Sequence, residues 1–483
     1  MNRRLAGLTL TTAALALVPG TALASPGPGG HGTPSPGAPG IGDPYYPLDG
    51  NGGYDVDHYD LDLRYDPATD ELTATATIEA VATQDLSAFD LDLQGLTVDA
   101  VRVDHAPAGW TREGGELVIT PHRPVWEGRD FTTVVRYHGV PETIQDALGA
   151  SGFLHTDDGA VVAGQPDGAA TWFPSNDHPL DAASVSVTAT VPEGLEAVSN
   201  GVLEDQRTRH GWTTWRWQAA EPMATYLVTL AVGEFDLRAY EVDGVRYWDA
   251  LDPDLFSPVE GGPPPGEVAS ASFARQPEII DFLGDHFGAY PFRAAGGIVD
   301  DTPDLQFALE TQTRPVYGSV FFTDQLSGDL VVVHELAHQW TGDLVRLAAW
   351  QHIWLNEGFA TYAEWMWQER EGILTVQQQF DELAALPADA DLWVGAPGDP
   401  GPAIEDLFSS GVYSRGAMTL HALRLQVGDE HFATIVREWT ARYAGEAVTT
   451  ADFIALAEEV SGQQLDELFQ TWLFTPGKPA VLG

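Results

Sequence analysis

Cysteine is missing from all 483 residues, and lysine occurs once, at Lys478. Without thiols there is no disulfide framework, no cysteine-ligated metal site and no thiol nucleophile. Positive charge is scarce altogether: 23 Lys and Arg stand against 71 Asp and Glu, a net charge of −48. A field of that sign disfavours nucleic acid and anionic membrane surfaces and attracts cationic groups. It is also the ordinary basis of solubility. Beyond residue 24 no run is apolar enough to span a bilayer, so no membrane insertion is expected. No internal repeat is visible.

What is present is enough for a globular protein of two or three domains, with 44% hydrophobic and 10% aromatic residues. Arg3 and Arg4, the apolar run Leu5 to Val18 and the small residues of Ala22-Leu23-Ala24 read as a signal peptide over 1–24. Cleavage after Ala24 and a secreted, extracellular chain follow from that reading. Residues 25–47 are rich in Gly and Pro and read as a flexible linker. From 48 to 238 the period is two. Tyr59, Leu61, Leu63 and Tyr65 alternate with Asp60, Asp62 and Arg64, which predicts an all-β saddle or sandwich domain. From 239 to 483 the period is mainly helical, with helices expected at Val268–Phe287, Ser414–Val427, Glu430–Tyr443, Thr450–Val460 and Leu465–Trp472. Thr450 is the expected cap of the Thr450–Val460 helix. The class is α+β. The sequence stops soon after Trp472, so no carboxy-terminal helical-repeat domain is expected.

Chemistry concentrates in His334-Glu335-Leu336-Ala337-His338, followed by Asn356-Glu357-Gly358-Phe359-Ala360. On a helix His334 and His338 share one face and can grip one zinc ion on adjacent turns. Glu357, returning on a second helix, supplies a third ligand and leaves the fourth position open for water or substrate, the mark of a catalytic zinc. Glu335 stands beside that open position as general base. Glu364 lies one heptad beyond Glu357, on the same face. A pair of satisfied core histidines is the alternative.

Taken together, Val331–Val345 and Trp354–Glu364 resemble the aminopeptidase N-like family of zinc metallopeptidases, the membrane alanyl aminopeptidase and leukotriene hydrolase type. The resemblance implies a β domain followed by a thermolysin-like catalytic domain, one zinc ion, and peptides with a free amino terminus as substrates. It implies roles for four further residues. Glu310, in Phe307-Ala308-Leu309-Glu310-Thr311, falls at the carboxylate of the family's G-x-M-E-N motif that binds the substrate's amino group; Phe307, Leu309 and Thr311 depart from the motif. Gln165, nine residues before Pro174, matches a second amine-binding position. Tyr413, in Tyr413-Ser414-Arg415-Gly416, matches the tyrosine that stabilises the oxyanion, with Arg415 in place of Lys. Glu364 matches a carboxylate that orients a ligand histidine. Two other functions stay open at this point. One is a thermolysin-type endopeptidase, which needs no amine anchor; the other is a non-catalytic peptide-binding module on the same scaffold. Oligomeric state cannot be read from the sequence.

Overall fold

The computed structural model describes residues 32–480, and the signal peptide read over 1–24 lies outside them. The first domain is built on an eight-stranded sheet whose centre pairs Tyr54–Asp66 with Glu71–Ala82, antiparallel, and with Ala183–Pro192, parallel. The expected alternation holds there. Tyr59, Leu61, Leu63 and Tyr65 are buried, and the acidic residues between them face solvent. A bulge between Val56 and His58 keeps Tyr54 and Val56 on the buried face as well. A five-stranded sheet, ordered Thr143–Asp146, Gly149–His155, Ala160–Ala163, Leu230–Gly233, Glu196–Ser199, covers the side nearer the second domain.

The spacer expected over 25–47 is, from residue 32 on, part of the fold. Ser35–Pro36 adds a short parallel strand to Leu86–Asp92. Asp43 is buried; its Oδ2 accepts the Trp350 N–H at 2.9 Å and lies 3.2 Å from His178 Nε2. Tyr45 donates its O–H to the Gly401 carbonyl at 2.6 Å. Gly and Pro bury no core of their own, but one carboxylate and one phenol hook this segment onto both domains.

The second domain opens with a mixed sheet. Val245–Leu251, Ala294–Asp300 and Val316–Gly318 run parallel, with Asp236–Val242 and Ala308–Leu309 antiparallel at its edges. The sheet's first strand thus starts at Asp236, slightly ahead of the boundary at 238. Helices pack around it: α1 (Pro265–Phe273), α2 (Gln276–Phe287), α3 (Gln325–His338), α4 (Trp354–Arg370), α5 (Val376–Ala384), α6 (Gly416–Val427), α7 (Asp429–Arg442) and α8 (Thr450–Ser461). The single helix expected over Val268–Phe287 is two, because Pro277 lacks the N–H that would continue the ladder through Ala274 and Arg275. The cap of α8 is Thr449, one residue before the expected Thr450. Its hydroxyl takes the Asp452 N–H at 3.3 Å, and Asp452 takes the Thr449 N–H at 2.8 Å. Among the described residues no helical repeat follows, and the architecture is the expected α+β pair.

Candidate metal centre and active site

α3 starts where Asp324 accepts the N–H groups of Leu326 and Ser327, at 3.0 and 3.1 Å. Its buried face, Val332, Val333, Leu336 and Ala337, then fixes which way the histidines point. α4 is buried almost all round, from Trp354 to Ala363, and carries Glu357 in its first turn, where the helix dipole favours a carboxylate. Two glycines set how closely the elements meet. A Cβ on Gly358 would come within 3.0 Å of Gly416, and one on Gly416 within 3.0 Å of Gly358. That bare contact presses α4 onto the start of α6, beside both Glu357 and Tyr413.

His334 Nε2 lies 3.1 Å from Glu357 Oε2, and His338 Nε2 lies 3.4 Å from the same oxygen. Ligands at 2.0–2.1 Å around a tetrahedral zinc stand about 3.3 Å apart. The outer nitrogens are already partnered: His334 Nδ1 meets Glu364 Oε1 at 2.7 Å, and His338 Nδ1 meets the Thr341 carbonyl at 3.0 Å. Both rings therefore turn Nε2 inward, as ligand histidines with oriented partners do. The donor set fits a zinc ion.

The electrostatics agree. Burial alone would depress the histidines, yet Glu357 and Glu364 lift His334 well above its usual value, and Glu357 and Glu310 lift His338 to about 9. Burial would raise Glu357, but the two histidines pull it down to about 2. The centre is thus arranged to hold positive charge. Glu335 is buried, which pushes its carboxyl up to about 8 against the pull of both histidines. A dication at the centre would add to that downward pull.

The residues expected to bind an amine are assembled from distant segments. Glu310 is buried, and its Oε1 accepts from Gln165 Nε2 at 3.1 Å and from Tyr226 O–H at 3.0 Å. Its carbonyl accepts from Gln339 Nε2 at 3.1 Å, which ties the strand to the end of α3. Oxygens of Glu310 and Glu335 and a His338 nitrogen lie within 4.8 Å of one another. Burial raises Glu310, and His338 draws it back down. Tyr413 sits in a π-helical turn, Gly411–Arg415, with its ring 6.0 Å from that of His334. Arg415 holds the turn by donating to the carbonyls of Gly395, Thr471, Trp472 and Thr475, which gives the departure from Lys a structural use. All eight expected residues line one cavity of about 390 Å³ between the domains, with Phe307, Phe321, Leu330 and Val331 as its apolar wall.

Tyr226 has no local sequence signal. Its stretch reads as strand over Tyr226 to Val232, but residues Thr225–Leu227 form a 3-10 turn that swings the phenol toward Glu310. Gly358 and Gly416 carried no visible signal either, since their role is a contact between two helices.

Two family patterns match the chain: the Peptidase M1 N-terminal domain over residues 55–227 and the Peptidase family M1 domain over residues 321–472. Aminopeptidase M1-B of Oryza sativa subsp. japonica is 26% identical over 461 residues, 88% of this chain and 50% of that protein. Aminopeptidase M1 of Arabidopsis thaliana is 25% identical over 462 residues, again 88% and 50%. The chain therefore spans about half the length of the curated relatives it matches. Among solved structures, an M1 zinc metallopeptidase variant from Deinococcus radiodurans bound to a Tyr-Ser-Ala substrate is similar with a TM-score of 0.79 and 30% identity, covering 91% of this chain and 99% of that one. A two-domain M1 zinc metallopeptidase variant bound to L-arginine has a TM-score of 0.80 and 29% identity, covering 92% and 99%.

Proposed function

Because the chain belongs to peptidase family M1, we propose that it is a zinc-dependent aminopeptidase, which hydrolyses the first peptide bond of peptides with a free amino group. One observation carries the reading. The buried carboxylate of Glu310, held by Gln165 and Tyr226, has an oxygen within 4.8 Å of a His338 nitrogen and a Glu335 carboxylate oxygen. An ammonium fixed there leaves room for one residue before the reacting carbonyl, which is an exopeptidase's register.

His334, His338 and Glu357 would hold the ion. When bound, zinc supplies a Lewis acid that polarises the scissile carbonyl and lowers the pKa of a neighbouring water to about 7. Glu335 takes that water's proton as its oxygen adds to the carbonyl carbon, then delivers it to the leaving nitrogen as the C–N bond breaks. Tyr413 keeps its proton, because burial and the surrounding carboxylates hold the phenol well above its usual range, and donates it in a hydrogen bond to the oxyanion. Glu364 orients His334. Glu310 and Gln165 hold the substrate's amino terminus, and Tyr226 keeps the Glu310 oxygen aimed. The apolar wall at Phe307 and Phe321 would receive the first side chain. The reading extends to export: the signal-like segment over 1–24 supports secretion, and the acidic surface suits a soluble extracellular enzyme. Among the described residues no helix is long and apolar enough to cross a membrane.

The test is a panel of fluorogenic aminoacyl substrates with free and with acetylated amino groups, run before and after chelation. The proposal expects cleavage of the free-amine members alone, lost on chelation and restored by zinc. Equal cleavage of acetylated peptides would replace it with an endopeptidase; zinc binding without turnover on any member would leave a binding module.

A further inference from the structure

Away from the zinc centre, the carboxyl ends of two parallel strands bring three carboxylates together. Asp252 follows the Val245–Leu251 strand, and Asp300 and Asp301 end and follow the Ala294–Asp300 strand. The strands are joined by the Asp252 N–H donating to the Val299 carbonyl at 3.0 Å. One carboxylate oxygen from each of Asp252, Asp300 and Asp301 lies within 4.8 Å of the others. Two oxygens bound to one calcium ion at 2.3–2.6 Å are at most about 5 Å apart.

Asp300 is the telling member. It is only 1% exposed; its Oδ1 accepts the Thr302 N–H at 2.9 Å, and its Oδ2 is buried with no hydrogen-bond partner. A carboxylate oxygen left so is costly unless something positive meets it. Among the described residues no basic side chain forms an ion pair with Asp252, Asp300 or Asp301. Instead their neighbours are further carboxylates. Asp158, on the Thr156–Gly159 turn of the β domain, acts on all three and is pinned by the Glu234 N–H at 2.6 Å. Burial, with these like charges added, lifts Asp300 to about 7 and Asp252 to about 6. Nothing here is a nitrogen or sulfur donor, so a soft or borderline metal has no preference for the place. Three carboxylates converging from two strand ends, in no fixed octahedron, suit calcium, which takes irregular shells of six to eight oxygens; magnesium prefers to keep its waters.

We propose that Asp252, Asp300 and Asp301 form a calcium site at the carboxyl ends of two neighbouring parallel strands of the second domain. The site is separate from the zinc centre, and no reaction step passes through it. Calcium bound there stabilises the folded protein by mass action. Removing it leaves three carboxylates repelling one another.

The experiment uses the full zinc-loaded chain, stripped of calcium with a calcium-selective chelator, then dialysed against calcium alone. The expected result is one calcium ion per chain and a rise of about 3–5 °C in the unfolding midpoint. Magnesium, or sodium chloride at matched ionic strength, should give less than half that rise. Asp300→Asn should lower calcium affinity at least about tenfold while zinc content stays at one per chain. Asp301→Asn, at an exposed position, guards against a folding defect in the first variant and should weaken binding in the same direction. No bound calcium, a rise matched by sodium chloride, or a calcium response unchanged in both variants would each overturn the site.

Discussion

The two halves of the active site are built differently. The metal half is local: His334, Glu335 and His338 come from one helix, Glu357 and Glu364 from the next, and helix geometry alone brings them together. The amine half is not. Glu310 directly follows a short strand, Gln165 lies on a β-domain loop and Tyr226 on a 3-10 turn 84 residues away from Glu310 in sequence. The metal half needs only two helices packed correctly, whereas the amine half exists only if the two domains are docked. Chemistry and register are thus separable in this molecule, and substitutions should tell them apart.

The largest effect should come from the metal half. Glu335→Gln keeps the size of the side chain and removes the proton acceptor, so kcat should fall by about 10²–10⁴ with zinc content unchanged. Metal analysis and rate measured on the same sample check this; a near-normal rate in the metallated variant removes Glu335 as base. Tyr413→Phe comes next. It should lower kcat by about 10²–10³ with little change in KM, as loss of one oxyanion donor does. A pure KM effect would move Tyr413 to substrate binding.

Tyr226→Phe sharpens the contrast. It removes one of the two donors on Glu310 Oε1 and leaves the metal half intact. A net hydrogen bond of about 0.5–1.5 kcal/mol corresponds to a loss of about two- to thirteenfold in kcat/KM for free-amine substrates. Zinc affinity should not move; if it does, the two halves are not separable. Gly358→Ala acts at the joint between α4 and α6. The added methyl meets Gly416 backbone at 3.0 Å, and overpacking of this kind costs about 1–3 kcal/mol, to be read from denaturant midpoints.

The smallest expected effect comes from buried carboxyls of the β domain. Burial raises Glu116 to about 7, Asp177 to about 7 and Asp181 to about 8. Carboxyls whose folded pKa is raised favour the fold while protonated. The stability they contribute is full below about pH 4 and is lost as pH rises through 7 to 8. The unfolding midpoint of the zinc-saturated protein should therefore drop between pH 5.5 and 8.5, and Glu116→Gln should flatten part of that slope.

Legibility in the sequence followed the same division. The spacing of His334, His338, Glu357 and Glu364 was readable because helical periodicity converts sequence distance into direction. The alternation from Tyr59 to Tyr65 was readable for the corresponding reason in a strand. Glu310, Gln165 and Tyr413 could be located only through resemblance to a family, since nothing in their own neighbourhoods fixes a contact across domains. Tyr226 was missed because a period-two stretch gives no sign of the turn inside it. The segment from residue 32 to 47 was misread because composition reports a lack of core-forming residues, while Asp43 and Tyr45 are held by single polar contacts.

The central claim, that a docked β domain and Glu310 turn a zinc hydrolase into an exopeptidase, has one direct measurement. It is the ratio of kcat/KM for a free-amine peptide to that for its acetylated form, compared between the parent and Glu310→Ala at equal zinc content. The account predicts a high ratio in the parent and a ratio that collapses toward one in the variant, through loss of free-amine cleavage. An unchanged ratio, with aminoacyl substrates hydrolysed at close to the parent rate, would contradict it.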